Sequence, residues 1–279
     1  MAQTLRNTSV SEIEELLHEA RNSETPSQRT SVATHMAWVP PEWSRVADRV
    51  LRGLGPRIPS RTLLLHPDPE AEDGIDATID HEWFPGGEVT ICVEVVRLRL
   101  RGRTASAPAS VVVPLQIADL PVFLRWRGRP PFGRREYDQL LGVTDRLIVD
   151  STEWDRLPSG YAALAEAFDR VVVSDLAWAR TLPWRAALAD LWPGIKRASR
   201  LRVAGPKAEA LLLRAWLETR LRRDFRLSHE EAARVTHVAV DGGPVRPHRG
   251  PSLSASDLLS AELETFARDH VFEAAVRGV

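Results

Sequence analysis

Apolar positions along this chain follow two rhythms, and the switches between them outline its elements. Ile13, Leu16, Leu17 and Ala20 recur at helical spacing behind Ser9-Val-Ser-Glu12, whose hydroxyl and carboxylate are placed to satisfy free amides at a helix start. A first helix reaching about Asn22 is expected, then a polar linker over 23–28. Residues 31–39 (SVATHMAWV) read as a strand, and Pro40-Pro41 opens a helix with Trp43, Val46, Ala47, Val50 and Leu51 inward, ending near Gly53 and Gly55. The run RTLLLH at 61–66 is short, continuous and bounded by turn signals, which fits a strand covered on both faces. In 88–102, Arg97, Arg99 and Arg101 alternate with Val96, Leu98 and Leu100. With 76–83 this predicts a half-exposed hairpin around a Pro85-Gly86-Gly87 turn. Helices over 109–118, 136–142 and 161–168 then alternate with strands over 121–126, 146–150 and 170–174. Such alternation predicts a mainly parallel α/β sheet with the 76–101 hairpin as its antiparallel edge.

Beyond Ser174 the texture changes. SDLAWARTLPWRAALADLW is helical and rich in tryptophan, with an interruption at Pro183. A strand over 198–203 leads through Ala204-Gly205-Pro206 into a helix over 207–222, where Leu213, Trp216, Leu217 and Leu221 make a core stripe and Arg214, Glu218 and Arg222 make spaced ion pairs. Ser228-His-Glu-Glu231 reads as a second capping box, followed by a strand over 236–241, a loop over 242–251 and a helix carrying Leu259, Leu263 and Phe266. The expected division is an N-terminal helix and linker (1–26), an N-terminal α/β domain (27–174) and a smaller, helix-rich α/β C-terminal domain (175–279).

Composition narrows the function. The 279 residues are 43% apolar, enough for real cores, and a net charge of −1 leaves no global basic field to draw in nucleic acid or an anionic membrane. Lys occurs only at 196 and 207, so nearly every cation is an arginine, a planar bidentate donor suited to carboxylate and phosphate. Cys92 is the single cysteine, which rules out an intramolecular disulfide and fits a structural thiol in a strand. The first residues lack a signal peptide's apolar core, and no window approaches a membrane span, so a cytoplasmic location is expected. The eight histidines never fall at HxH or HxxxH spacing, and no GxSxG context occurs; neither a metal site nor a cofactor is expected.

Three constellations remain. In DLPVFLRWRGRPPFG (119–133), Arg125, Trp126 and Arg127 close a strand at the end where α/β sheets bind ligands, which fits an anion or partner site as well as a solvated loop with a core tryptophan. Trp178 lies two residues before Arg180 and Trp184 beside Arg185; Trp and Arg are enriched where protein surfaces meet, although Trp also fills large cores. Gly205 and Lys207 stand where a helix N-terminus attracts phosphate, with no glycine-rich fingerprint to support it. Among Asp145, Asp150, Glu153 and Asp155, capping by Asp150 and Ser151 is the better reading than a paired-carboxylate site.

The blocks RTSVATHMAWVP, PSRTLLLHPDP, APASVVVPLQIADLPVFLRWRGRPPFG, DRLIVDS, SDLAWAR and LRVAGPKAEALLLRAWL, in this order, resemble the OpcA family, the glucose-6-phosphate dehydrogenase assembly or activator proteins of cyanobacteria and actinobacteria. The resemblance implies an N-terminal and a C-terminal domain, no catalysis and no cofactor. It also implies one partner, the oligomeric dehydrogenase that opens the oxidative pentose phosphate pathway. Cyanobacterial members are implicated in thiol-linked control; with Cys92 alone, intramolecular switching cannot operate here, and the actinobacterial type is the better match. On this reading Arg125, Trp126 and Arg127, then Trp178 and Arg180, are candidate docking or sensing residues. The alternative is a sugar-phosphate or nucleotide-binding enzyme or sensor using Arg125, Arg127 and Lys207.

Overall fold

A computed structural model describes residues 2–22, 31–54, 57–86, 89–250 and 253–279. The chain forms two compact units: Met1–Ile148 with Ala255–Phe266, and Val149–Ser254 with Ala267–Val279.

The first unit begins with β1 (Gln3–Leu5) and α1 (Val10–Asn22), continues through β2 (Ala33–Trp38), α2 (Ser44–Leu54) and β3 (Ser60–Asp68), and forms the hairpin β4 (Gly74–Gly86) and β5 (Val89–Arg101). Next come α3 (Ala109–Leu115), β6 (Val122–Trp126), α4 (Arg135–Leu141) and β7 (Arg146–Val149), whose last residue opens the second unit. Its strands lie in the order β1-β4-β5-β3-β2-β6-β7, with β5-β3-β2-β6-β7 parallel and β1-β4-β5 antiparallel. The fold is therefore the expected mainly parallel α/β sheet with an antiparallel hairpin toward one edge. Strands β2 and β6 are buried throughout, which is why their sequences show apolar runs rather than alternation. In β5 the alternation holds: Leu98 and Leu100 are buried, while Arg97 and Arg99 turn out to pair with Asp48 and Asp68. The capping box also forms, Ser9 N–H donating to Glu12 Oε2 at 3.1 Å and Glu12 N–H to Ser9 Oγ at 3.2 Å.

The second unit contains α5 (Ser159–Ala165), β8 (Val172–Asp175), α6 (Leu176–Arg180), α7 (Leu182–Ala189), β9 (Arg200–Ala204), α8 (Lys207–Leu221), β10 (Arg226–Glu230), β11 (His237–Val240) and β12 (Gly243–Val245). Helix α9 (Ala255–Leu263) belongs to the first unit and α10 (His270–Arg277) to the second. A small sheet runs β10-β9-β11-β12, with β10 parallel and β11 antiparallel to β9. Its core holds Leu201, Val203 and Val238 with Leu213 and Leu217 of α8 and Trp184 of α7.

Some expectations shift. Ser228 does not cap a helix; it lies in β10, opposite Arg202 of β9. The box pattern there precedes no apolar helical stripe, so pairing with a buried strand prevails. The short β1 and β12 carry too few positions for a pattern, α10 was not expected although Asp269 caps it and Phe272, Ala275 and Val276 are buried, and Phe266 lies past the end of α9. Contacts divide the chain at Ile148/Val149, so the change of texture near 175 falls inside the second unit. Cys92 stands in β5 as expected, but the setting of its thiol, the linker over 23–28, Gly55, Gly87 and Pro251 lie outside the described residues.

Candidate functional site

In the first unit, the end of β6 carries Arg125, Trp126 and Arg127. The strand pairs with β2 in register, Ala37 opposite Arg125 and Trp38 opposite Trp126, and the two indoles stack with centroids 5.0 Å apart. Tyr137 of α4 meets Trp126 edge-on at 5.6 Å. All three side chains are buried, at 1% exposure for Arg125, 1% for Trp126 and 6% for Arg127. Arg125 Nη1 donates to the Trp126 carbonyl, and Arg127 N–H continues the ladder to Trp38 O at 3.0 Å. The chain then turns out of the sheet at Gly128, where φ is +71° and an added Cβ would sit 3.1 Å from Trp43 Nε1. Of the two sequence readings, the tryptophan is core, and both arginines have gone inside with it. His35 of β2, also buried, has no hydrogen-bond partner on either ring nitrogen among the described residues. Burial, together with Arg127 and Arg125, pushes its pKa down to about 4, so the ring stays neutral beside the two guanidinium groups.

In the second unit, Asp150 follows β7 and Asp175 ends β8; both cap the turn that follows. Asp150 accepts from Thr152 N–H at 3.2 Å, as expected of it. Asp175 accepts from Ala177 N–H at 2.9 Å, from Ser151 N–H at 3.0 Å and from Ser151 Oγ at 2.6 Å. Ser151 Oγ also lies 2.7 Å from the Tyr161 hydroxyl. Arg180, at the end of α6, reaches back across this turn. Its Nη1 and Nη2 donate to the two carboxylate oxygens of Asp150 at 3.1 and 2.5 Å, and its Nε donates to Glu209 Oε1 of α8 at 2.7 Å.

The electrostatics follow from burial. Desolvation, then the charge of Asp150, raises Asp175 to about 7 against the hydrogen bonds of Ser151 and Ala177. Burial raises Glu209, opposed by Arg180, and raises the Tyr161 hydroxyl well above its ordinary value, reinforced by Asp175. For Arg180, burial works against the charge, but Asp150 and Glu209 overcome it and hold the guanidinium above its ordinary value. The carboxylates, Ser151 and Tyr161 are all more than nine-tenths buried and engaged within the network, so these groups fix a shape, and only Arg180 is partly exposed.

This geometry makes a pH prediction. Because the folded pKa of Asp175 lies above its unfolded value, the folded state binds the extra proton between about pH 4 and 7. The stabilisation is complete at the acid end and is lost as pH rises through about 7. Asp175→Asn, which keeps the two amide bonds, should flatten that slope in urea unfolding; an unchanged slope would show that another group titrates.

The remaining sequence candidates are placed as follows. Trp178 is buried, its Nε1 donating to Asp269 Oδ2 at 2.7 Å, with the Arg185 guanidinium 3.5 Å from its ring centroid. The structure brings Arg180 to Asp150 but sends Asp145 elsewhere, to accept from Val122 N–H at 2.8 Å. The phosphate reading of Gly205 and Lys207 finds no free amide at the glycine. Gly205 N–H donates to Glu230 O at 3.0 Å, Pro206 has no N–H, and Lys207 is exposed. Gly205 is required for packing, since an added Cβ would fall 2.8 Å from the backbone of Val235. Arg125 and Arg127 belong to one unit and Lys207 to the other. The sequence singles out Ser151 only as a cap and assigns no role to Asp175, Tyr161 or Glu209. The parallel endings of DRLIVD (145–150) and DRVVVSD (169–175) were the available signal for the two aspartates.

Among the described residues, no three His, Cys, Asp or Glu side chains could hold a metal ion, and no helix is long and apolar enough to cross a membrane. Two family models match the chain in succession, and both describe a glucose-6-phosphate dehydrogenase subunit. Residues 54–166 match the model of its N-terminal domain, and residues 171–276 match the model of its C-terminal domain. No curated protein matches the chain.

Proposed function

Because this chain belongs to the OpcA family of glucose-6-phosphate dehydrogenase subunits, we propose that it binds an oligomeric glucose-6-phosphate dehydrogenase in the cytoplasm and raises its activity without itself catalysing the reaction. The observation that carries this reading is the succession of the two family matches over residues 54–166 and 171–276. The closed state of the buried network supports it. Ser151, Tyr161 and Asp175 would be candidate nucleophile, acid and base in an open cleft, yet each is engaged by another and shielded from solvent. In this reading Arg125, Trp126, Arg127, Trp178 and Arg180 act on the partner indirectly, by fixing the backbone that carries the contact surface.

An activator shifts an enzyme only by binding its active arrangement more tightly, and couplings of this kind run to about 1–3 kcal/mol, or roughly 5- to 150-fold. Mixing the chain with its purified cognate dehydrogenase should give co-elution on size exclusion and a change of that order in the saturation curves for glucose 6-phosphate or NADP. Separate elution with superimposable curves would refute the proposal, as would turnover by the isolated chain.

A further inference from the structure

The C-terminal end of α8 is flanked by two neighbouring hollows, both lined by Trp216 and Arg220, which together make up the groove considered below. The first, of about 320 Å³, is apolar: Leu188, Ile195, Leu217 and Leu221 form its walls, and Trp192, 56% exposed, stands at its mouth. The second, of about 290 Å³, is lined by Thr219, Arg222 and His270 with the shared pair. Neither lining contains a carboxylate. Arg220 and Arg222 are exposed and form no ion pair among the described residues, and Lys196 adds its ammonium 4.1 Å from the Trp192 ring centroid.

The backbone explains why charge gathers here. Arg222 adopts a left-handed conformation (φ 52°) with its N–H donating to the Glu218 carbonyl, which ends α8. Arg223 then donates to the Lys196 carbonyl, tying the turn that carries Lys196 to the helix end. Cations at a helix C-terminus are favoured by the helix dipole; here Arg220 lines both hollows, Arg222 lines the second, and Lys196 lies over the ring of Trp192, which lines the first. An exposed tryptophan at an apolar pocket, with cations nearby that form no ion pair among the described residues, is the arrangement of a binding hot spot.

We infer that this groove receives an acidic segment of the dehydrogenase surface, inserting one apolar anchor beside Trp192 and Trp216 and setting carboxylates against Arg220, Arg222 and Lys196. The inference rests on the proposed function. Charge complementarity selects the occupant, since these cations form no ion pair among the described residues, Lys196 resting only on the Trp192 ring, and the uncharged pit requires a side chain that a phosphate backbone does not supply.

The test measures binding of purified dehydrogenase to wild type and to three surface variants: Trp192→Ala, Arg220→Glu and, as a matched charge reversal outside the groove, Arg226→Glu in β10. Circular dichroism should be the same for all four. Trp192→Ala and Arg220→Glu should each weaken binding about 10-fold or more, the range of hot-spot residues, with Arg226→Glu within about 2-fold of wild type. The difference between wild type and Arg220→Glu should shrink at high salt, where screening shortens to a few ångströms. If wild type binds and the groove variants bind equally well, or if Arg226→Glu weakens binding as much as Arg220→Glu, the groove is not the docking site and the proposed function stands. If wild type does not bind, both fail.

Discussion

Trp126→Ala should lower the unfolding free energy by about 3–5 kcal/mol, the range for truncating a buried aromatic side chain. The indole is 1% exposed, stacked on Trp38 at 5.0 Å and met edge-on by Tyr137 at 5.6 Å, so its removal empties space bounded by two other rings. These neighbours sit on a central strand and a packed helix and have little freedom to collapse into the void. Trp126→Phe retains an aromatic partner and should cost clearly less. Urea unfolding followed by circular dichroism separates the two, and an alanine variant with a wild-type midpoint would contradict the packing described. Any loss of dehydrogenase activation in Trp126→Ala would therefore report a damaged fold, which makes Trp192 the better tryptophan for probing docking.

Arg180→Ala should cost a similar amount, about 3–5 kcal/mol, by a different route. The guanidinium stands between Asp150 and Glu209, both largely buried, and holds both carboxylates with three hydrogen bonds. Truncation removes the guanidinium that these two buried carboxylates share, and breaking a buried ion pair from one side is costly. The loss should shrink as pH falls and the carboxylates take up protons. A second change, Glu209→Gln, should restore part of the stability, because it removes one of the stranded charges; strict additivity of the two changes would mean that no coupling exists. Arg180→Lys should recover little, since an ammonium cannot reproduce the fork that engages two acids at once.

The central strands were legible because burial on both faces leaves an unbroken apolar run, as in RTLLLH, and the hairpin was legible because Arg97 and Arg99 alternate with Leu98 and Leu100. The three-residue β1 and β12 carry too few positions for a period. Ser228 misled because Glu231, three residues on, completes a capping-box pattern by chance, while the exposed positions 226, 228 and 230 keep the two-residue period of a strand. At the candidate sites the residue types stand out in the sequence, while their burial depends on distant segments. Arg125, Trp126 and Arg127 end a strand, but nothing in the sequence states that Trp38 lies alongside to draw the indole inward. Arg180 was chosen as a surface cation, and its partners Asp150 and Glu209 stand about thirty residues away on either side, beyond any local pattern. The groove at the end of α8 is likewise assembled from 188–195, 216–222 and 270, so it becomes visible only when these segments are placed together.

Helix α9 returns to the first unit after about a hundred residues spent in the second. Ser256 Oγ donates to the Val50 carbonyl at 3.0 Å, Asp257 pairs with Arg57, and Glu262 lies 3.4 Å from Arg146. During synthesis the first unit must therefore wait, incomplete, until the ribosome has passed α9. No single cut can yield two self-sufficient fragments, and a nonsense codon shortly before 255 would strip a supporting helix from a body whose sheet had been finished long before.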